Sequence, residues 1–376
     1  MILTPTETVI ALLNESLSGV VFDGISPAEI YLHASGRGLL PQLHALFLGC
    51  SKKDSKLKSQ YHWRNLQATL IQECKTDPDI GVLVTNQYLT FFNDFGRKHL
   101  LVGHIDEKMR IDVAKCLTEL NELSWYVESS ELLNDESPEA DTQPLTIAHI
   151  KKSENNAIIF ILHEKVPMFS YVSPDDSLLS DAGRQFKSQI RLKKRTVVTG
   201  VHKVVFSSAA ELQVCLIDPS SIVQNETAAD KAAAIHRVIF AKLGFHRDRV
   251  VSPKWISFFP AIRKLYEDKT AGEICGGYFY TSTGSRFLNN SRGTGCDLRE
   301  DPFQQGGEKA SPESIDFVKL DVVWSDEPGE ARVGLHGSSE MFEHSESSLP
   351  WIEVIFSADN GGSASFLKKV LDYANW

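Results

Sequence analysis

The stretch from Gln189 to Ser208, QIRLKKRTVVTGVHKVVFSS, limits the possible folds more than any other part of the chain. It begins with four cations in five residues, Arg191, Lys193, Lys194 and Arg195, and continues with β-branched and aromatic residues. Such residues favour a pleated, half-buried strand over a helix. Because alternate residues of a strand share a face, Arg191, Lys193 and Arg195 lie on one side, which cannot be core. The stretch therefore predicts a strand with a basic, solvated end.

A glycine interrupts this strand pattern at position 200. Glycine within a strand indicates either a β-bulge or a place where a ligand or a second backbone segment comes close. We therefore expect one of these two features at Gly200.

The composition sets limits on what the basic stretch can bind. With 376 residues, 42% of them apolar and 23% charged, the chain is a globular protein long enough for two domains. Its formal net charge of -10 opposes nucleic-acid binding over the whole surface, because phosphate binding needs concentrated positive charge. Any such binding must be local, on a basic region of an acidic protein.

The cysteines and the apolar runs predict the compartment. Six cysteines are scattered without a CxxC spacing, which favours free thiols in a reducing environment over a zinc or disulfide framework. The N-terminus has no signal-peptide pattern, and no apolar run is long enough for a membrane span. We therefore expect a cytoplasmic protein, of bacterial type, with no membrane contact, no metal site and no cofactor.

The chain divides at an acidic stretch that has no regular periodicity. Residues 129–144, SSELLNDESPEADTQP, contain two prolines and are predicted to be a linker. Residues 1–128 are predicted to form a helix-rich α+β domain, and residues 145–376 an α+β domain built on a mostly antiparallel sheet with flanking helices. The predicted fold class is therefore α+β.

Hydrophobic periodicity predicts the individual elements. The helices are expected at Pro5–Leu17, Asp106–Trp125, Thr227–Leu243 and Ser363–Tyr373. The strands besides the basic one are expected at Ile80–Val84 with Leu89–Phe92, Leu100–Val102, Ala157–Leu162 with Met168–Val172 across a turn at Glu164–Lys165, Leu212–Ile217, Ile274–Thr281 with Arg286–Leu288, Phe317–Trp324 with Arg332–Leu335, and Trp351–Phe356. Ser291–Pro312, which is polar and rich in glycine, is predicted to be a surface loop.

The candidate binding site consists of the cations of two basic regions and of two glycine-containing loops. We expect these residues to bind nucleic-acid phosphates or an acidic protein surface. They are Lys187, Arg191, Lys193, Lys194, Arg195, Lys203, Arg247, Arg249, Arg263, Lys264, Arg286 and Arg292. The alternative for the densest cluster is an edge strand on which lysines prevent edge-to-edge aggregation.

Two further functions are compatible with the sequence. The first is a metal-dependent hydrolase or nuclease acting on a phosphorylated or nucleotide substrate, with a site in the loops from Thr281 to Asp297. The acids and lysine of IDFVKLDV have nuclease-like spacing, but Lys319 and Asp321 share a strand face that Asp316 does not, so alternating surface charges also explain them. The second is a structural subunit of a hetero- or homo-oligomeric complex.

Overall fold

The chain folds around one large β-sheet, seen in a computed structural model. The structure describes residues 5–16, 43, 96–119, 144–153, 156–172, 192–208, 210–222, 226–245, 253–280, 286–290, 297–310, 316–326, 329–337, 349–356 and 361–374, with scattered positions between 72 and 84.

Six helices and eleven strands lie within these ranges. The helices are α1 Pro5–Ser16, α2 Glu107–Glu119, α3 Ala228–Lys242, α4 Phe259–Glu267, α5 Pro302–Ala310 and α6 Gly361–Tyr373. The strands are β1 Gly96–His104, β2 Thr146–Lys152, β3 Ile158–Val172, β4 Leu192–Phe206, β5 Leu212–Ile217, β6 Lys254–Trp255, β7 Glu273–Tyr280, β8 Arg286–Asn290, β9 Asp316–Asp326, β10 Gly329–His336 and β11 Ile352–Phe356. No helix in these ranges is long and apolar enough to cross a lipid bilayer.

The strand order is β2-β3-β4-β5-β1-β11-β10-β9-β7-β8, and β6 adds to β1. Neighbouring strands pair antiparallel, as in Leu101 with Cys215 and Val333 with Val354. The predicted α+β class with a mostly antiparallel sheet is confirmed.

Strand β1 lies at the centre of this sheet, between β5 and β11. Leu100, Leu101 and Val102 are fully buried, so successive residues enter the cores on both faces of the sheet. β1 precedes the predicted linker but hydrogen-bonds to strands that follow it. The boundary at 129–144 stays a prediction, since residues 129–143 lie outside the described ranges.

Helices cover both faces of the sheet. On one face, apolar residues of α1, α4 and α6 pack on alternate strand residues such as Leu216, Leu320 and Val354. On the other face, α2 and α3 pack on strand residues such as Phe160 and Phe206. This three-layer arrangement buries an apolar surface on each side of the central strands.

Helix α1 and strand β5 are confirmed almost residue for residue, and the β9–β10 pair is confirmed with longer strands than predicted. Helix α3 illustrates why helix ends can be predicted from the sequence. Thr227 and Asp230 form a reciprocal capping box at its start. Gly244, just after the helix, has a φ of 83°, a left-handed conformation that glycine adopts without strain. Start and stop signals of this kind are local, so the sequence alone reveals them.

One predicted hairpin is wrong. Ala157–Leu162 and Met168–Val172 are not two strands across a turn, because β3 runs unbroken from Ile158 to Val172. Glu164 and Lys165 are buried within that strand. The carboxylate of Glu164 accepts hydrogen bonds from distant residues, and this compensates for its burial.

Two further segments differ from prediction in secondary structure. Residues 80, 83 and 84, expected in a strand, are helical. Within the predicted loop 291–312, residues 302–310 form α5, whose first turn is capped by Asp301 Oδ1 accepting from the backbone N–H groups of Phe303 and Gln304. Gly306 and Gly307 weaken the helical pattern in the sequence, because glycine has low helix propensity.

Candidate functional site

The basic stretch lies in a two-stranded extension of the sheet, which we call the ribbon and define as residues 165–172 of β3 paired with residues 192–199 of β4. β2 pairs with β3 only at residues 146–152 with 158–163, and β5 pairs with β4 only at residues 213–216 with 203–206 in the ladders described. Eight residue pairs at about 3.3 Å each make the ribbon about 26 Å long. Pro167 fits this position, because proline lacks the N–H that a central strand would need.

Two cations of the ribbon are in backbone register with aromatic residues. Arg195 is in register with Phe169, and Lys193 with Tyr171. Directly opposed residues of an antiparallel pair share a face, and so do residues two apart on one strand. Lys193, Arg195, Phe169 and Tyr171 therefore occupy one face of the ribbon, at the end away from the sheet, while Lys194 belongs to the other face.

The remaining candidate cations are distributed as follows. Lys203 is 2% exposed, in the sheet interior, and burial lowers its pKa to about 7, so it is not part of an exposed basic face. Arg263 is exposed on α4 and paired with Glu267, and half-buried Lys264 donates to the carbonyl oxygen of Tyr373. Arg286 is the first residue of β8. Lys187, Arg191, Arg247, Arg249 and Arg292 lie outside the described residues.

The structure does not bring α4 next to the ribbon. α4 packs near β9, and four strands lie between β4 and β9 in the sheet order. At about 4.8 Å per step, the two strands are about 24 Å apart. Arg263 and Lys264 therefore belong to a different part of the surface from Lys193 to Arg195.

A buried ionic network, missed by the sequence analysis, holds the base of the ribbon. Glu164 accepts from Nε2 of His202 at 2.9 Å, and Nζ of Lys231 on α3 lies 3.0 and 3.3 Å from its two oxygens. All three side chains are less than 10% exposed. Burial alone would raise the pKa of Glu164, but the hydrogen bonds and charges of His202 and Lys231 outweigh it and lower that pKa. The carboxylate therefore stays ionised.

The network continues into the turn after β5. The backbone N–H of Asp218 donates to Nδ1 of His202 at 3.3 Å, and the opposite ring nitrogen, Nε2, donates to Glu164. The hydroxyl of Ser221 donates to the carbonyl of Asp218 at 2.7 Å. Thus the 3₁₀ turn Pro219–Ser221 and α3 both fix the point where the ribbon leaves the sheet.

Gly200 lies at this point, and the predicted close approach is confirmed. The strand pairing is regular there, with Gly200 opposite Glu164. A Cβ atom on Gly200 would lie 2.7 Å from Cβ of Ser221. Glycine therefore makes room for the 3₁₀ turn that contacts the strand.

We expect Gly200→Ala to lower the free energy of unfolding by about 1–3 kcal/mol, since the added methyl must displace the Ser221 turn. Urea unfolding followed by circular dichroism measures this. Gly306→Ala is the matched control: nothing lies within 4 Å of its Cβ position in α5, so we expect it to stabilise by about 0.5–1 kcal/mol. A Gly200→Ala variant as stable as the wild type would contradict the close contact.

A second polar cluster crosses the sheet on the face opposite α4 and α6. Along one row of the ladder, His99 pairs with Glu353, Glu353 with Gly334, and Gly334 with Asp321. Alternate residues of the same strands, such as Ile352 and Leu320, enter the core on the α4 side. The row therefore lies on the face of these strands that is opposite to the core under α4.

The centre of the row is a histidine held by an aspartate. Nε2 of His336 lies 2.5 Å from Oδ1 of Asp321, and Nζ of Lys319 lies 3.1 Å from Oδ2. The three side chains are 28–32% exposed, so they are reachable from solvent. Burial would raise the pKa of Asp321, but the hydrogen bonds and charges of His336 and Lys319 lower it further than burial raises it.

Gly334 is the residue that lets His336 reach Asp321. A Cβ atom on Gly334 would overlap Nε2 of His336 and lie 3.1 Å from Oδ1 of Asp321. The imidazole therefore occupies the space above a residue with no side chain.

The sequence predicts two of the three residues of this cluster. Lys319 and Asp321 were expected to share a strand face, and their ion pair shows that they do. His336 was missed, although the pattern Gly334-Leu335-His336 on a strand places the histidine beside the glycine on the same face. The register of β10 against β9, which brings His336 to Asp321, is a long-range feature that periodicity does not reveal.

Among the residues that the structure describes, no group of three or more histidine, cysteine, aspartate or glutamate side chains is arranged to hold a metal ion. No protein-family model matches the chain, and no curated protein is significantly similar to it.

Proposed function

We propose that the protein binds nucleic acid through the ribbon. The observation that supports this is the register of the ribbon, in which Arg195 pairs with Phe169 and Lys193 with Tyr171. Cations neutralise phosphates, and aromatic residues are the type on which bases stack. The pairing therefore combines the two residue types that nucleic-acid binding needs.

The shape of the ribbon supports the same proposal. Two-stranded ribbons enter nucleic-acid grooves or follow the backbone in several classes of binding protein. The ribbon is long enough to contact several nucleotides, and Glu164, His202 and Lys231 fix its base. The acidic remainder of the chain limits binding to this region, since its net charge repels phosphate.

The test is salt-dependent binding of a fluorescent oligonucleotide to the wild type and to a variant with Lys193, Lys194 and Arg195 replaced by alanine. Each phosphate contact contributes about 0.7 to the slope of log K against log salt for single strands and about 0.9 for duplex. We expect the triple variant to bind more weakly at low salt, with a slope reduced by about 2 to 3.

The control is a triple alanine variant of exposed lysines on other elements, Lys269, Lys309 and Lys368, which changes the net charge equally. It should keep nearly all of the wild-type affinity. Absence of binding by the wild type at low salt, or equal losses in both variants, would refute the proposal. Binding of an acidic polypeptide such as polyglutamate, but not of oligonucleotides, would instead identify an acidic protein partner.

A further inference from the structure

We propose that His336 is the general base of an RNA-cleaving site, in which Asp321 positions the imidazole and Lys319 stabilises the negative charge that develops on the phosphate. The site is separate from the ribbon, and its chemistry does not depend on the ribbon. The choice of RNA as substrate rests on the proposed nucleic-acid binding.

The hydrogen bonds define the role of each nitrogen of His336. An ionised carboxylate can only accept hydrogen bonds, so Nε2, at 2.5 Å from Asp321, must carry the imidazole proton. In the neutral ring, the form that a general base needs, Nδ1 holds the lone pair; Asp321 is the partner of His336 within the described part of the chain. A carboxylate that orients one nitrogen of a partly exposed histidine is the arrangement that supports a general base, which would act through the other nitrogen.

Lys319 supplies the second requirement. Its ammonium group is held 3.1 Å from the other oxygen of Asp321, and a third of its side chain is exposed. A cation fixed beside the base stabilises negative charge as it develops on a phosphate, and it is already oriented before the reaction begins. Base and cation are held by a single carboxylate on neighbouring strands, so their relative positions are fixed by the sheet.

RNA contains the nucleophile that such a site can activate. Nδ1 of His336 takes the proton of a ribose 2′-hydroxyl while O2′ attacks the adjacent phosphorus. The O2′–P bond forms, and the P–O5′ bond breaks with its electron pair remaining on O5′. A water molecule gives O5′ a proton, and the hydroxide left behind takes the proton from His336. The products are a 2′,3′-cyclic phosphate and a free 5′-hydroxyl, with no change in oxidation state.

The experiment uses the full chain and the ribodinucleotide UpA, which is too short to need the ribbon. Products are identified by mass spectrometry, in the presence of EDTA because no step uses a metal ion. We expect a 2′,3′-cyclic phosphate product from UpA and no cleavage of the deoxy analogue, which lacks the 2′-hydroxyl. Absence of cleavage of UpA, or cleavage of the deoxy analogue, would overturn the inference.

Variants assign the chemistry to this cluster. We expect His336→Ala to lower the cleavage rate by about 10²–10⁴-fold and Lys319→Ala by about 10²–10³-fold. Gly334→Ala keeps all three groups but displaces the imidazole, so it should also lose most activity. Gly277→Ala, whose nearest neighbour atom lies 4.0 Å from the added carbon, should cleave normally. Equal rates in the wild type and His336→Ala would identify a contaminating nuclease and overturn the inference.

Asp321 is a positioning residue, and its test is a pH profile. Asparagine at this position cannot stabilise the imidazolium form, so the acidic limb of the profile of kcat/KM should move to lower pH in Asp321→Asn. An unmoved limb would mean that Asp321 does not act through His336. Circular dichroism of each variant establishes that it is folded.

The two proposals can fail separately. Binding is measured with a 2′-O-methyl oligonucleotide, which cannot be cleaved by this route. If UpA is cleaved but the oligonucleotide does not bind, the ribbon proposal fails and the catalytic one stands. If the oligonucleotide binds but UpA and longer RNA remain intact, the catalytic inference fails alone.

Discussion

Replacing Glu164 with alanine should lower the free energy of unfolding by about 3–5 kcal/mol, the range found when one member of a buried ion pair is removed. The substitution leaves Lys231 with Glu226, 3.4 Å away, and removes the acceptor of His202 Nε2. Both groups are too deeply buried for water to replace the lost carboxylate fully. Urea unfolding followed by tryptophan fluorescence and circular dichroism measures the loss.

The matched control is Glu267→Ala, which removes a carboxylate from the exposed pair with Arg263 and should cost less than about 0.5 kcal/mol.

A series of unfolding measurements at different pH values adds a second check. Because the pKa of Glu164 is lowered on folding, its stabilisation is fully present above its unfolded pKa of about 4.3 and disappears as pH falls through the folded value. The advantage of the wild type over Glu164→Gln should therefore shrink in acid. Equal losses of unfolding free energy in Glu164→Ala and Glu267→Ala would show that the buried network does not stabilise the fold.

Replacing Arg299 with methionine should cost about 3 kcal/mol. The Arg299 side chain is 8% exposed, and its guanidinium group donates to the carbonyl oxygens of Asp268 and Gly272 and to the carboxylate of Asp297. It thereby joins the turn before β7 to the 3₁₀ turn Leu298–Glu300. Methionine fills similar space but removes the guanidinium donor of the Gly272 carbonyl, and it leaves the Asp268 carbonyl and the Asp297 carboxylate with backbone N–H donors in place of the guanidinium group. Thermal and urea unfolding both measure the loss.

Arg299→Lys distinguishes geometry from charge. Lysine keeps the positive charge but lacks the planar fork that reaches three acceptors at once, so it should recover less than half of the lost stability. Arg263→Met is the control, because its side chain is 69% exposed and its ion pair contributes little. Full recovery in Arg299→Lys would mean that charge alone accounts for the effect.

Several strands and the strongest helix could be predicted because their signals are local, whereas β2 and β6 were not predicted. A β-branched run indicated β4, and an alanine-rich, periodic pattern from Thr227 to Gly244 indicated α3. The course of β3 could not be predicted, because the polar pair Glu164–Lys165 resembles a turn until the partners of Glu164 are known. α5 could not be predicted, because Gly306 and Gly307 weaken the helical pattern of a segment that Asp301 caps.

In the candidate sites, too, the local features could be predicted from the sequence and the long-range contacts could not. The cations of the ribbon were recognisable as a dense cluster, but their pairing with Phe169 and Tyr171 depends on the register of two strands separated by about 20 residues. The pair of Lys319 and Asp321 followed from their spacing, whereas His336 comes from the next strand. Periodicity predicts which face of its own strand a residue occupies, but the neighbouring residues on other strands are known only from the fold.

The central position of β1 has a consequence for how the chain reaches this fold. β1 ends at His104, yet one of its neighbours, β11, begins at Ile352. During synthesis, that side of β1 has no β11 to pair with until nearly the whole chain has left the ribosome, and long-range pairings of this kind form slowly. We therefore expect C-terminal truncation before β11 to expose the backbone of a central, apolar strand and to cause aggregation, the outcome typical of unpaired sheet edges.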